Sequence, residues 1–145
     1  MLKTKIILGY LGFLPFAAFT ILPWILGENW LRPSLISLVI YGAIILSFLA
    51  GIIWQSSKKQ SDLIIAIVFS LLGFASVFLF TVNIMIPLIV LMICFPLCYL
   101  QEKRISESFT NEDYASLRLN LTTGVTACFV LSIFFYDRSI YSIKY

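Results

Sequence analysis

Five long apolar runs dominate the sequence and restrict what the chain can fold into. Each run holds about 17–21 residues, which at a rise of 1.5 Å per residue matches the roughly 30 Å hydrocarbon core of a bilayer. The fifth helix is expected to begin before the bilayer. The sequence therefore predicts an all-α integral membrane bundle of about five transmembrane helices, in a single domain over residues 1–145. The predicted helices are 6–26, 35–54, 63–80, 84–100 and 111–136.

The composition agrees with a membrane protein and argues against several other classes. Hydrophobic residues make up 61% of the chain and charged residues 12%, whereas an average soluble domain has roughly 45–50% and 25%. The net charge of +3 is small, and no run of Lys or Arg exceeds two neighbours, so we expect no nucleic-acid partner. The absence of histidine removes the commonest general base and metal ligand.

The basic residues predict how the bundle lies in its membrane. Lys and Arg are retained on the inner side, so the orientation that places most of them there is preferred. An inner N-terminus and an outer C-terminus give seven basic residues inside and three outside. The inner set is Lys3, Lys5, Lys58, Lys59, Lys103, Arg104 and Arg118, and the outer set is Arg32, Arg138 and Lys144.

A stripe of small residues marks the second predicted helix, YGAIILSFLAGIIW at 41–54. Small side chains at every fourth position let helix backbones approach closely in lipid, and a serine adds an interhelical hydrogen bond. We expect this stripe to pack against another helix of the same chain or against a partner protein. Its members are Gly42, Ala43, Ser47, Ala50 and Gly51.

Arg118 is the one charged residue inside the five apolar runs, the fifth of which covers residues 117–136, and it follows Tyr114 by one helical turn. It can stack on or hydrogen-bond with Tyr114, bind a lipid phosphate, pair with Glu107, or extend to the membrane surface as an ordinary interfacial arginine. Trp54 ends its helix as a typical interfacial aromatic residue. We therefore predict interfacial or head-group contacts for Trp54, Tyr114 and Arg118.

The polar segment 101–116 separates the fourth and fifth predicted helices. Within it, Thr110 and Asp113 have the spacing of a capping box, in which each side chain accepts a hydrogen bond from an unpaired backbone N–H. This pattern predicts that the fifth helix starts near Asn111.

Two further features allow a site without requiring one. Pro15 and Pro96 lie in mid-span, where helix breaks form sites in some transporters but also occur without function. Cys94 and Cys98 share a helix face and could hold Cu(I). Buried cysteines more often pack as small apolar residues, so we expect no metal and no cofactor.

Three stretches together resemble domain of unknown function family 3429, which has bacterial and mitochondrial transmembrane members. They are LGYLGFLPF at 8–16, the small-residue helix at 41–54, and YASLRLNLT at 114–122. Ala50 stands where the family has the first glycine of a pair. The resemblance implies the helical architecture and carries no activity. The matching residues are Leu8, Gly9, Gly12, Pro15 and Phe16; Tyr41, Gly42, Ala43, Ile45, Leu46, Ser47, Phe48, Leu49, Gly51 and Trp54; and Tyr114, Leu117 and Arg118.

These observations favour a non-enzymatic protein of a bacterial or mitochondrial inner membrane. The first hypothesis is an accessory or assembly subunit of a larger membrane complex, such as a respiratory complex. The alternative is a small transporter or lipid-binding carrier that acts as a homo-oligomer, with a site near Pro15 and Pro96 that Arg118 gates. The expected partners are membrane lipids and either other membrane-protein subunits or further copies of the chain.

Overall fold

The computed structural model describes the backbone of residues 2–144 and the side chains of residues 3–138. This part of the chain is helical, without strands, and five helices are long and apolar enough to cross a membrane. The predicted all-α membrane bundle is confirmed. Met1 and Tyr145, and the side chain of Lys144, lie outside the described residues. The helices are α1 (Leu2–Leu26), α2 (Leu31–Ser56), α3 (Gln60–Leu79), α4 (Met85–Ile105) and α5 (Glu112–Lys144).

Most of the helices extend past the apolar runs that predict them. The fourth helix continues from Leu100 to Ile105, so much of the polar segment 101–116 is helix rather than connection. A 3₁₀ helix, Glu107–Thr110, then leads into α5. Helices continue in this way because backbone hydrogen bonding does not depend on side-chain polarity, and polar side chains can face other helices or water.

The start of α5 agrees with the prediction, but its capping residue does not. The amide N–H of Asp113 donates to Asn111 Oδ1 at 3.0 Å, whereas the Thr110 hydroxyl donates to the carbonyl of Glu107 at 2.8 Å. The Thr110–Asp113 capping box was therefore wrong. Asn111 caps the helix because the 3₁₀ turn already engages the threonine hydroxyl.

Short connections make successive helices antiparallel, and α2 occupies a central place, packed against α1, α3 and α4. Helix α5 packs against α1 and α4. One end of the bundle, called the charged end below, collects the starts of α1, α3 and α5 and the ends of α2 and α4. It carries the seven basic residues assigned to the inner side, so an inner N-terminus stays the prediction.

Three phenylalanines join the helices in the middle of the bundle. Phe16 of α1, Phe95 of α4 and Phe129 of α5 are almost fully buried, and their ring centroids lie 5.8–6.1 Å apart. Aromatic rings at these separations attract one another in edge-to-face and offset arrangements. The cluster therefore holds α1, α4 and α5 together near the middle of each helix.

Candidate binding cavity and its buried ion pair

A cavity of about 910 Å³ opens at the charged end, between α1, α2 and α5. Its innermost lining consists of Phe16, Phe95 and Val125, all buried. Phe16 lies about 16 Å further along α1 than Lys5, at a rise of 1.5 Å per residue, which is roughly half of a 30 Å hydrocarbon core. The cavity thus reaches from the charged end to the depth of one leaflet.

The rim of the cavity has two different parts. Lys5, Lys58 and Glu107 are exposed at the charged end, where Lys58 Nζ lies 3.1 Å from Glu107 Oε1. Leu8 of α1 and Phe48 of α2 are exposed further into the spans. The rim is therefore charged where the bundle meets water and apolar where it meets lipid.

A buried ion pair lies beside the cavity. Arg118 Nε donates to Glu102 Oε2 at 2.7 Å, and the Tyr114 hydroxyl donates to Glu102 Oε1 at 2.6 Å. Glu102 is fully buried and Arg118 is 6% exposed. Each carboxylate oxygen therefore has a partner, which is what allows a charged carboxylate to lie inside a bundle.

The guanidinium of Arg118 is less well satisfied than the carboxylate. Nη2 also lies 2.7 Å from Glu102 Oε2, but its N–H bonds are not aligned on that oxygen and the atom has no hydrogen-bond partner. Arginine offers five N–H donors, so a single hydrogen bond leaves most of them unused. Arg118 and Tyr114 line the cavity, whereas Glu102 lies behind Arg118.

The structure changes the sequence-based picture of Arg118. It is buried rather than extended to the membrane surface, and its partner is Glu102 rather than Glu107, which pairs with Lys58. Tyr114 acts beside it by binding the same carboxylate. A contact between Arg118 and a lipid phosphate stays a prediction.

Sequence reasoning missed Glu102 because the predicted fourth helix ended at Leu100. A signal was present: continued at the same helical spacing, Glu102 follows Cys94 and Cys98 at every fourth position, and all three residues are buried. Charged residues mark where an apolar run ends, but not where a helix ends or which way its side chains face.

A second buried carboxylate, Asp62, was missed for the same reason, since it precedes the apolar run of α3. Asp62 Oδ1 accepts hydrogen bonds from Gln101 Nε2 and Arg104 Nη2, both at 3.0 Å. It lies in the first turn of α3, where the positive end of the helix dipole favours a negative charge. None of these three residues lines the cavity.

Three of the five small residues of the stripe face the interior of the bundle. Gly42, Ala43 and Ala50 are buried. A Cβ atom added at Gly42 would lie 2.9 Å from Phe129 Cζ, so α5 approaches α2 closely at that point. A Cβ atom added at Gly73 of α3 would lie 3.2 Å from the Ala43 carbonyl oxygen.

The rest of the stripe faces outward. Ser47 and Gly51 are exposed, and a Cβ atom added at Gly51 would meet nothing within 4 Å. Residues every fourth position rotate by about 40° per step around a helix with 3.6 residues per turn, so a stripe that starts inside at Ala43 turns outside by Gly51. Trp54 is also exposed, close to the end of α2.

The proline and cysteine positions fall differently around the cavity. Pro15 and Pro96 adjoin Phe16 and Phe95, which line its inner end. Cys94 and Cys98 are buried, free thiols. Within the described side chains, no three His, Cys, Asp or Glu residues lie close enough together to hold a metal ion.

Comparison with known proteins identifies the family. A family model described as Protein of unknown function (DUF3429) matches residues 1–134. The chain belongs to this family. No curated protein and no solved structure matches it. All three stretches that carry the sequence resemblance contribute residues to the lining of the cavity in this DUF3429 chain. These residues include Leu8, Gly12, Ile45, Phe48, Tyr114 and Arg118.

Proposed function

We propose that this DUF3429 protein is a non-enzymatic lipid-binding carrier of a bacterial or mitochondrial inner membrane, and that it binds an amphiphilic molecule in the cavity. The cavity carries the proposal. Its volume of about 910 Å³ falls within the roughly 300–1,000 Å³ of pockets that enclose small-molecule ligands. The proposal includes no catalytic step, because the buried carboxylate of Glu102 is already bound by Arg118 and Tyr114.

The two-part rim supports an amphiphile rather than a wholly polar or wholly apolar ligand. The exposed charges of Lys5 and Lys58 suit a polar head group, while Leu8 and Phe48 leave an apolar edge through which a chain can reach the lipid phase. Aromatic and aliphatic side chains deeper in the cavity offer a chain van der Waals contact.

A cavity-filling variant tests the carrier. In Gly12→Phe the new side chain starts in free space at the cavity wall, since the nearest atom to an added Cβ is Tyr41 Oη at 3.9 Å. Gly51→Phe adds the same volume to the same type of residue on the exposed face of α2 and is the matched control. The measurement is the amount of lipid that stays bound through purification in mild detergent, quantified by mass spectrometry.

We expect the wild type and Gly51→Phe to retain about one amphiphile per cavity, and Gly12→Phe to lose most of it. A wild-type protein that retains no amphiphile, or a Gly12→Phe protein that retains as much as the wild type, contradicts the carrier.

The exposed part of the small-residue stripe supports a second candidate, an accessory or assembly subunit of a larger membrane complex. Ser47 and Gly51 lie on an otherwise apolar outer face of α2, beside Ile44. Small residues at such a face allow a helix of another protein to approach closely, and the Ser47 hydroxyl can donate a hydrogen bond to it.

The same pair of variants separates the two candidates. For a subunit, Gly51→Phe removes a defined set of proteins that co-purify from native membranes, while Gly12→Phe retains them. For a carrier, Gly12→Phe lowers the amount of bound lipid, while Gly51→Phe leaves it unchanged. An unchanged set of co-purifying proteins in Gly51→Phe counts against the subunit.

A further inference from the structure

We propose that the cavity selects amphiphiles with an anionic head group, a carboxylate or a phosphate, and that Arg118 binds this head group. The inference rests on the proposed carrier function and names the class of its ligand. Three observations carry it: the unused donors of Arg118, the charges around the cavity, and the position of Arg118 along its depth.

Arg118 has hydrogen-bond donors that no protein group accepts from. Arg118 is more than nine-tenths buried, lines the cavity, and has a buried Nη2 atom without a hydrogen-bond partner. This atom lies in ion-pair contact with Glu102 Oε2, but an N–H that is not aligned on an acceptor has lost water without gaining a full hydrogen bond. An oxygen of a carboxylate or phosphate satisfies it with a charge-assisted hydrogen bond, and a guanidinium is shaped for two such bonds in parallel.

Glu102 fixes the position of the Arg118 side chain and leaves most of its N–H donors available to a ligand. The carboxylate lies behind the guanidinium and receives its Nε–H, while Tyr114 binds the other carboxylate oxygen. The side chain is thereby fixed before a ligand arrives, so little conformational entropy is lost on binding. Glu102 offsets the charge of Arg118, and the selectivity therefore also needs the charges at the rim.

Those charges are predominantly positive. Lys5, Lys58 and Arg118 line the cavity, and Glu107 is the lining residue with a carboxylate. Glu107 is paired with Lys58 at the surface, which leaves Lys5 and Arg118 to act on a ligand. Because Glu107 offsets Lys58 and Glu102 offsets Arg118, Lys5 leaves the cavity with a net positive charge, and a cleft with apolar walls and an excess of one sign of charge concentrates ligands of the opposite sign.

The position of Arg118 suits a head group rather than a chain. Val125, at the inner end, lies about 10 Å further along α5 at 1.5 Å per residue. A head group at Arg118 therefore leaves apolar cavity beyond it for part of a chain, and the exposed apolar edge at Leu8 and Phe48 can lead the remainder toward lipid.

Three probes test the head group in neutral detergent. Oleoyl lysophosphatidic acid and monooleoylglycerol share one chain and a glycerol, and differ by the phosphate. Glycerol 3-phosphate is the head group alone and represents a free anion. The measurement is the dissociation constant of each probe for the purified full chain, by equilibrium binding.

We expect the phosphate-bearing lipid to bind the wild type about tenfold to a hundredfold more tightly than monooleoylglycerol, as a charged hydrogen bond of roughly 1.5–3 kcal/mol implies. Glycerol 3-phosphate should bind far more weakly than either lipid. Binding of glycerol 3-phosphate as tightly as the phosphate lipid overturns the inference in favour of a free anion.

Paired substitutions assign the selectivity to Arg118. The double variant Glu102→Gln with Arg118→Gln replaces the ion pair by two neutral side chains, so that neither charge is left buried alone. It should lose most of the preference for the phosphate lipid and keep only the part that Lys5 contributes. The control, Asp62→Asn with Arg104→Gln, removes an ion pair at the same end that does not line the cavity, and should retain the wild-type preference.

For the single variant Glu102→Gln we expect the affinity for the phosphate lipid to change in the opposite direction. Without its carboxylate partner, Arg118 should bind the phosphate lipid more tightly than in the wild type, while monooleoylglycerol binding, which also reports correct folding, stays unchanged. A purely structural arginine gives no such gain.

The outcomes separate this inference from the carrier function. If neither lipid binds the wild type, the carrier itself fails. If both bind the wild type equally, or if the double variant Glu102→Gln with Arg118→Gln keeps the full wild-type preference for phosphate, the carrier stands and the assignment to Arg118 is overturned.

Discussion

Two ion-paired clusters lie side by side at the charged end, and α4 contributes to both. In one, Asp62 binds Gln101 and Arg104; in the other, Glu102 binds Arg118 and Tyr114. The arginine side chain is 61% exposed in the first cluster and 7% exposed in the second. The chemistry is alike, but the surroundings of the arginine are opposite.

The surroundings of the arginine determine whether an ion pair can also bind a ligand. Water satisfies the remaining donors of Arg104, so a ligand gains little there, and an exposed partner contributes modestly to stability. Arg118, in contrast, is buried and lines a cavity, where a ligand can supply a further acceptor. Gln101 and Glu102 are neighbours in sequence, yet a rotation of about 100° per residue around α4 sends them to different clusters.

The largest expected effect comes from breaking the buried pair on one side. Arg118→Met leaves the fully buried carboxylate of Glu102 without its cation and should lower the free energy of unfolding by about 3–5 kcal/mol. Denaturant titration in mixed micelles measures this loss. Adding Glu102→Gln should recover much of it, and a loss no greater than that of Arg104→Met would erase the distinction between the clusters.

An intermediate effect is expected from Tyr114→Phe, which removes the 2.6 Å hydrogen bond to Glu102 and keeps the ring. A hydrogen bond to a charged group contributes about 1.5–3 kcal/mol. Tyr99→Phe is the matched control, because both rings pack against Phe109, at centroid distances of 5.7 and 5.5 Å. Equal losses in the two variants, by the same titration, would show that the hydroxyl of Tyr114 adds nothing.

The smallest effect belongs to the partly exposed cluster. Asp62→Asn keeps an oxygen that can accept from Gln101 and loses the charge that interacts with Arg104 and with the start of α3. The expected loss is about 1 kcal/mol, reduced further by salt. A loss as large as that of Arg118→Met, or one insensitive to salt, would show that water does not screen this pair through the exposed Arg104.

The sequence was sufficient for the helices and for one half of the buried pair. Apolar runs of bilayer length predicted five helices, and Arg118 stood out as a charge inside such a run. Its partner could not be found in this way, because Glu102 lies past Leu100, where hydropathy ends and helical geometry continues.

Side-chain direction and empty space were beyond the sequence for a further reason. Helix α2 is apolar on nearly all sides, so composition does not reveal that Gly42 faces Phe129 while Gly51 faces outward. The cavity arises from how α1, α2 and α5 pack. Pro15 and Pro96, adjacent to its inner end, were the one local sign of where it lies.

Direct mapping of a bound lipid shows whether an amphiphile occupies the cavity. A phosphate-bearing lipid with a photoreactive group in its chain, crosslinked to the wild-type protein and mapped by mass spectrometry, should label residues 8–16 of α1, 45–52 of α2 and 117–125 of α5. An excess of the same phosphate-bearing lipid without the photoreactive group should compete for the cavity and suppress this labelling. Labelling confined to outward-facing residues such as Ile44, Leu71 and Phe74 would show that lipid covers the outer surface and does not bind in the cavity.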